Sequence, residues 1–283
     1  MKKNIFRWLS IFVMAAVCVG FASCGDDDDD VKPGGGPDSG IAVKFQGPKR
    51  VFGNNLLKSY GAEYGNRYEL VYNSDDFVKK IIVKEKDGEI YREYDVTYSD
   101  NNVIVAQRNS NGKVKHITFT IGSNGFASKS TGLDGDMTQE YEYDSEGHLT
   151  RLRSGGFRGW FTWQNGNIVE QGDNDSSTSR TFTYSSLGNV AGLYIKASIG
   201  GDMGDFYDDI FYYIGLLGKG TQNLVKTYVS NSSSYYGYSK SGENTWTLDA
   251  VGRPTKCVTI TTETSNQYGT SSSYTGTYVW NYR

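Results

Sequence analysis

The chain is short of the residues that staple folds or run common catalytic devices. Its 283 residues hold three cysteines, two histidines and four prolines. Cys18 sits in an apolar N-terminal stretch and Cys24 just after it, which leaves Cys257 without a partner for a disulfide framework. Stability must then come from a hydrophobic core. The histidines, His116 and His148, form no His-Glu-x-x-His pattern, and no Cys-x-x-Cys or Gly-x-Ser-x-Gly motif occurs. The signatures of zinc peptidases, dithiol redox proteins and serine hydrolases are therefore missing. With so few prolines, glycine, asparagine, aspartate and serine must make the turns. Basic residues do not outnumber acidic ones, 29 against 32, so the electrostatic footprint of a nucleic-acid binder is absent.

What is present begins with an address. Lys2, Lys3 and Arg7 precede an apolar stretch from Trp8 to Phe21, followed by Ala22, Ser23 and Cys24. A cationic start, a short apolar core and small residues at the cut make a secretory leader over residues 1–23. The apolar stretch is about 14 residues, against the roughly 20 that a spanning helix needs. Phe21-Ala22-Ser23-Cys24 resembles the site at which bacterial lipoproteins are cleaved and acylated, and this implies a lipid on Cys24. Residues 24–40, with Asp26 to Asp30 and then Pro33, Gly34, Gly35, Gly36 and Pro37, read as a solvated tether. Acidic runs in this position resemble the export signal that takes Bacteroidetes lipoproteins to the outer face of the outer membrane. Removing the leader takes three bases and no acids, which brings the net charge to about −6, mostly carried by the tether.

Residues 41–283 read as a single β-domain. Aromatic residues recur two apart, before a short polar stretch rich in glycine or asparagine: Tyr141/Tyr143, Phe161/Trp163 and Phe182/Tyr184, with looser copies at Leu70/Tyr72, Val96/Tyr98, Phe119/Ile121 and Trp246/Leu248. Residues two apart share one face of a strand, so the aromatics line one side while Glu142, Thr162 and Thr183 take the other. Ile121, Tyr143, Trp163 and Tyr184 follow one another at about 21 residues, the length of one hairpin and its connections. The expected fold is all-β, an antiparallel meander of roughly 12–16 strands, rolled or closed into a barrel because long open sheets twist and expose edges. Phe206, Ile210, Tyr213, Ile214 and Leu217 depart from this period and follow helical spacing, which predicts one short inserted helix, ended by Gly218, over an open end of the sheet.

These hairpins, the acylation site with its acidic run, and the segment Tyr212-Tyr213-Ile214-Gly215-Leu216-Leu217-Gly218-Lys219-Gly220-Thr221-Gln222-Asn223-Leu224 together resemble an uncharacterised family of Bacteroides lipoproteins. The hairpins alone also resemble those of wall-associated YD-repeat proteins. The resemblance implies a porin-like β-barrel and carries over no site residue beyond Cys24. A lipid-facing wall would need apolar residues outward on every strand. Lys79, Lys80, Lys84, Arg92, Lys113, Lys115, Arg151 and Arg153 fall within the strands instead, so a transmembrane pore ranks last among the readings.

Candidate chemistry is thin. Glu140, Glu142, Asp144, Glu170, Asp208 and Asp209 supply carboxylates for a polysaccharide hydrolase, but spacing selects no pair. Asp134-Gly135-Asp136 and Asp173-Asn174-Asp175 read as turns and not as calcium loops. Cys257 lies in an alternating run and reads as a small core residue. Trp160, Tyr235, Tyr236 and Tyr238 are the candidate ligand-binding residues, as aromatic faces for sugar rings beside the Ser/Tyr-rich stretch of residues 230–239; Trp163, inside the repeat, reads as core. The expectation is a lipid-anchored, non-catalytic binding or structural module of the cell envelope on the cell exterior, with no cofactor, metal or nucleic acid, and with a glycan or an envelope protein as partner. A carboxylate-pair hydrolase is the rival.

Overall fold

The alternating aromatic runs become strands whose apolar faces all meet in one interior. The computed structural model describes residues 45–132, 138–174, 178–193, 209–232 and 237–283. The leader, Cys24 and the tether lie outside these residues. Sixteen strands follow one another: β1 (Leu57–Ala62), β2 (Arg67–Tyr72), β3 (Val78–Lys84), β4 (Ile90–Tyr98), β5 (Asn102–Asn109), β6 (Val114–Ile121), β7 (Ala127–Thr131), β8 (Thr138–Tyr143), β9 (Leu149–Ser154), β10 (Phe157–Gln164), β11 (Asn167–Asp173), β12 (Thr178–Gly188), β13 (Asn223–Ser232), β14 (Tyr238–Leu248), β15 (Pro254–Ser265) and β16 (Ser271–Tyr282). Each pairs antiparallel with the next, and β16 returns to pair with β1, Trp280 opposite Tyr60. The sheet is thus a closed up-and-down barrel with no free edge.

Connections in such a barrel alternate between its two ends. The links β2–β3, β4–β5, β6–β7, β8–β9, β10–β11, β12–β13 and β14–β15 share one end, here the plug end. The links β1–β2, β3–β4, β5–β6, β7–β8, β9–β10, β11–β12, β13–β14 and β15–β16 share the other, the loop end.

The sequence repeat has a concrete structural meaning at the plug end. Tyr72 Oη donates to Leu57 O (2.7 Å), Tyr98 to Val78 O (2.7 Å), Tyr143 to Ala127 O (2.8 Å), Tyr184 to Ile168 O (2.7 Å) and Tyr282 to Pro254 O (2.7 Å). Trp163 Nε1 does the same to Leu149 O (2.8 Å) and Trp246 Nε1 to Val225 O (2.7 Å). In seven of the eight even-numbered strands, then, an inward ring clamps the carbonyl that opens the strand before it, or lies within three residues of its start. Only β6, which ends in Ile121, lacks a donor for this bond. Irregularities in the pairing with the following strand sit beside these rings, for example between Val71 and Tyr72 and between Glu142 and Tyr143.

Two chain segments fill the barrel behind this belt. The first contains α1 (Lys49–Phe52), which the sequence reading did not expect. The second contains α2 (Asp209–Tyr213), the inserted helix, which ends at Tyr213 and not at Leu217 as expected. Phe206 lies outside the described residues. Gly215, at φ +94°, turns the chain before Gly218 is reached, and a Cβ there would come within 2.9 Å of the Gly47 backbone. Glycine is needed at this close approach. Ile210, Phe211, Tyr212, Tyr213, Ile214 and Leu216 are all buried. Phe211 packs on Phe119 of β6 (4.8 Å between ring centroids), Tyr213 on Tyr60 of β1 (4.4 Å), and Tyr212 edge-on against Phe52 of α1 (5.5 Å). The Ala127 N–H donates to Leu216 O, and the Lys219 N–H to Gly147 O, which fastens the plug to the turns of that end. Asp76, in the β2–β3 turn, pairs with both Lys49 of α1 and the terminal Arg283, and so ties the plug to the seam where the barrel closes.

Candidate functional site

The interior changes character along the barrel axis. Near the plug it holds Ile81, Val103, Val105, Phe119, Leu152 and Trp280. Towards the loop end the inward positions become Gln139, Ser154, Gln171, Ser230 and Thr261, still buried, together with an ion pair between Lys240 and Glu263 (3.2 Å). Tyr228 Oη and Thr261 Oγ1 bond at 2.9 Å across Gly242, whose hydrogen lets the Tyr228 ring lie flat on β14. A water-filled channel would leave Gln139, Ser154, Gln171, Ser230 and Thr261 exposed, and they are buried, while the Lys240–Glu263 pair is half-buried.

The outer wall carries the charges. Lys80 of β3 pairs with Glu93 (2.9 Å) and Asp95 (3.5 Å) of β4, and Lys84 with Glu69 of β2 (2.8 Å). On the next flank Glu142 of β8 holds Arg153 (2.7 Å) and Arg151 (3.8 Å) of β9, and Glu243 stands outward on β14. Charges on the outer faces of β2, β3, β4, β8, β9 and β14 interrupt any apolar band around the described residues. The arrangement inverts that of a lipid-embedded barrel, whose apolar residues face out.

No described residues assemble into a catalytic centre. Glu140 and Glu142 stand on the outer wall of β8, and Glu170 stands opposite Thr162 and Thr181. Asp144 serves a turn: its Oδ1 accepts the Glu146 and His148 N–H groups, and its Oδ2 lies 2.9 Å from His148 Nδ1. Burial works to raise the Asp144 carboxyl, but the bonds from the His148 backbone and ring outweigh it and leave the group below the ordinary carboxylate range. His148 is buried and stacked on Trp163 at 4.2 Å. The space beside them, lined by Leu149, Phe161, Trp163, Ile168 and Leu217, is about 10 Å³, room for one water. His116 is exposed on β6. Cys257 is fully buried, and burial pushes its thiol up to about 12. Among the described residues no three His, Cys, Asp or Glu side chains form a metal-binding group. Asp208, Asp134, Asp136 and Asp175 lie outside them.

The candidate aromatics separate. Trp163 joins the clamp belt. Tyr235 and Tyr236 lie outside the described residues. Tyr238, at the start of β14, is 52% exposed. It stands at the loop end with Tyr64, Tyr91, Tyr268 and Tyr274, which are also exposed, whereas the belt tyrosines at the plug end are largely buried. Trp160 points outward from β10 and is 37% exposed. Its six-membered ring lies close over Gly172 of β11, where a Cβ would come within 2.4 Å of Cζ2. Three strands separate Trp160 from Tyr238, four strand spacings or about 19 Å around the wall, so the two form separate surfaces.

Sequence reasoning missed the company of Trp160. Gly155-Gly156 is a two-residue hairpin loop, so Arg153 stands opposite Arg158 and Arg151 opposite Trp160. Like charges directly opposite on a sheet are destabilising, and here Glu142 offsets this by pairing with Arg153. The Gly-Gly pair was the signal that could have set this register.

Fold and surface together define a closed, filled β-barrel with a polar outer wall. The chain belongs to the family described as "Domain of unknown function (DUF4595) with porin-like fold", matched over residues 69–256. A porin-like protein from Bacteroides uniformis, solved by crystallography, is similar in fold, with a TM-score of 0.61 and 16% identity over 80% of this chain and 96% of that one. Another, from Bacteroides vulgatus, covers 81% of this chain and 99% of its own, at 17% identity and a TM-score of 0.47. No functionally curated protein matches the chain.

Proposed function

We propose that the chain is a lipid-anchored barrel that stands in water at the outer face of the outer membrane and binds a glycan without cleaving it. The observation that carries this reading is the inside-out distribution of side chains: aromatics fill the interior while paired charges occupy the wall. Anchorage then falls to the acyl chain on Cys24, and the Asp26–Asp30 tether holds the barrel clear of the headgroups. Trp160 and the exposed tyrosines of the loop end offer the open ring faces that sugars stack on. The hydrolase reading has less support. It needs two carboxyls facing across a cleft, and Glu140, Glu142 and Glu170 stand on a convex wall, Glu142 already paired with arginines. A glycan array probed with the full chain carrying Cys24→Ala, followed by product analysis, tests the reading. Retention of specific glycans with no shortened products is the expected result. Release of shortened saccharides would favour the hydrolase.

A further inference from the structure

The geometry points to an acidic polysaccharide, one with uronic acid units, as the ligand of the Trp160 platform on β9–β11. This rests on the glycan-binding reading and deepens it. The six-membered ring of the indole lies close against Gly172, and Trp160 is 37% exposed on the wall. Arg151 stands directly opposite Trp160 on β9, with 61% of its side chain exposed, and Arg158 lies two residues before Trp160 on the same face of β10. Glu142 is 2.7 Å from Arg153 but 3.8 Å from Arg151, so Arg151 is only loosely engaged. Among the described residues no carboxylate lies within ion-pair distance of Arg158. The wall therefore places guanidinium groups opposite and beside an exposed aromatic ring, and of the facing pair Arg153 and Arg158 only Arg153 is met by Glu142. A ligand carboxylate at Arg158 supplies there the counter-charge that Glu142 gives Arg153. A pyranose ring laid on the indole through its C–H face puts an equatorial carboxylate at its rim, where a guanidinium grips it with two parallel hydrogen bonds. Neutral sugars satisfy the ring and leave Arg158 without a carboxylate.

The test uses the full chain in mild detergent, immobilised polygalacturonate, and the same polymer fully methyl-esterified. Binding to the acid form is expected to be at least 10-fold tighter than to the ester and to weaken as salt rises. Trp160→Ala should lower affinity for the acid form at least 10-fold. Arg158→Gln, which keeps the ring, should cut the preference for acid over ester. Gly172→Ala, which tilts the ring without touching the ligand, should lower affinity for both polymers. Should Trp160→Ala fail to fold, Arg158→Gln and the salt dependence decide. Equal binding of the two polymers, or unchanged binding by a folded Trp160→Ala, overturns the platform and leaves glycan binding standing elsewhere. No binding to either polymer, nor to any glycan of the array, overturns both readings.

Discussion

Replacing Tyr98 with phenylalanine removes one oxygen from the clamp belt and leaves the ring, so it isolates the hydrogen bond. The hydroxyl donates to Val78 O at 2.7 Å, and Val78 is fully buried. The ring stacks on Phe45 (5.5 Å) and meets Phe77 edge-on (5.0 Å), contacts that phenylalanine keeps. A net hydrogen bond contributes about 1 kcal/mol, and a buried carbonyl left without a donor costs about 1–3 kcal/mol. Tyr98→Phe should therefore destabilise the barrel by about 1–3 kcal/mol. Equilibrium urea unfolding followed by tryptophan fluorescence measures this as a lower midpoint at unchanged slope. Tyr64→Phe is the control, because Tyr64 is 75% exposed at the loop end, and it should change stability by less than about 0.5 kcal/mol. Tyr184→Phe sits eight strands away and should add to Tyr98→Phe within about 0.5 kcal/mol. If Tyr98→Phe matches the wild type, the belt bonds are incidental and the repeat needs another explanation.

Three further outcomes follow from the same geometry. Burial raises the phenols of Tyr98, Tyr143, Tyr184 and Tyr282 well above the ordinary value, so stability is flat below the unfolded pKa near 10 and falls as pH rises above it; absorbance at 295 nm should show exposed tyrosines ionising first and the belt only on unfolding, and a single transition near pH 10 in a folded protein contradicts this. Cys257, with its thiol near 12 and no exposure, should ignore a chromogenic disulfide reagent at pH 8 and react once urea unfolds the barrel; prompt reaction in the native state means that the β15 interior is open. Cys24→Ala should move the protein from the membrane fraction to the soluble one, and continued tight membrane association would end the lipid-anchor reading.

The sequence disclosed the body of this fold because its signal is local. Tyr141/Tyr143, Phe161/Trp163 and Phe182/Tyr184 do face inward, and Glu142, Thr162 and Thr183 outward, since side-chain alternation needs only the strand itself. The purpose of the second ring in each pair was not legible: the carbonyl that Tyr98 clamps lies 20 residues away, and pairing register decides that it meets the ring. The inserted helix was legible as an apolar face but not in extent, because Gly215 ends it through a contact with Gly47 far along the chain. α1 is four residues long, too short to show a period. The Trp160 surface combines both cases: Arg151 and Arg158 follow from a two-residue hairpin, whereas the seat on Gly172 depends on the separate pairing of β10 with β11.

The central claim is that the outer wall meets water all round. Spin labels at Ile104→Cys, outward on β5, and Thr245→Cys, outward on β14, sample opposite flanks of the barrel. With the lipidated chain in liposomes, both labels should be relaxed strongly by an aqueous nickel chelate and weakly by oxygen. Strong relaxation by oxygen with protection from the chelate at both positions would place the wall in hydrocarbon and contradict the account.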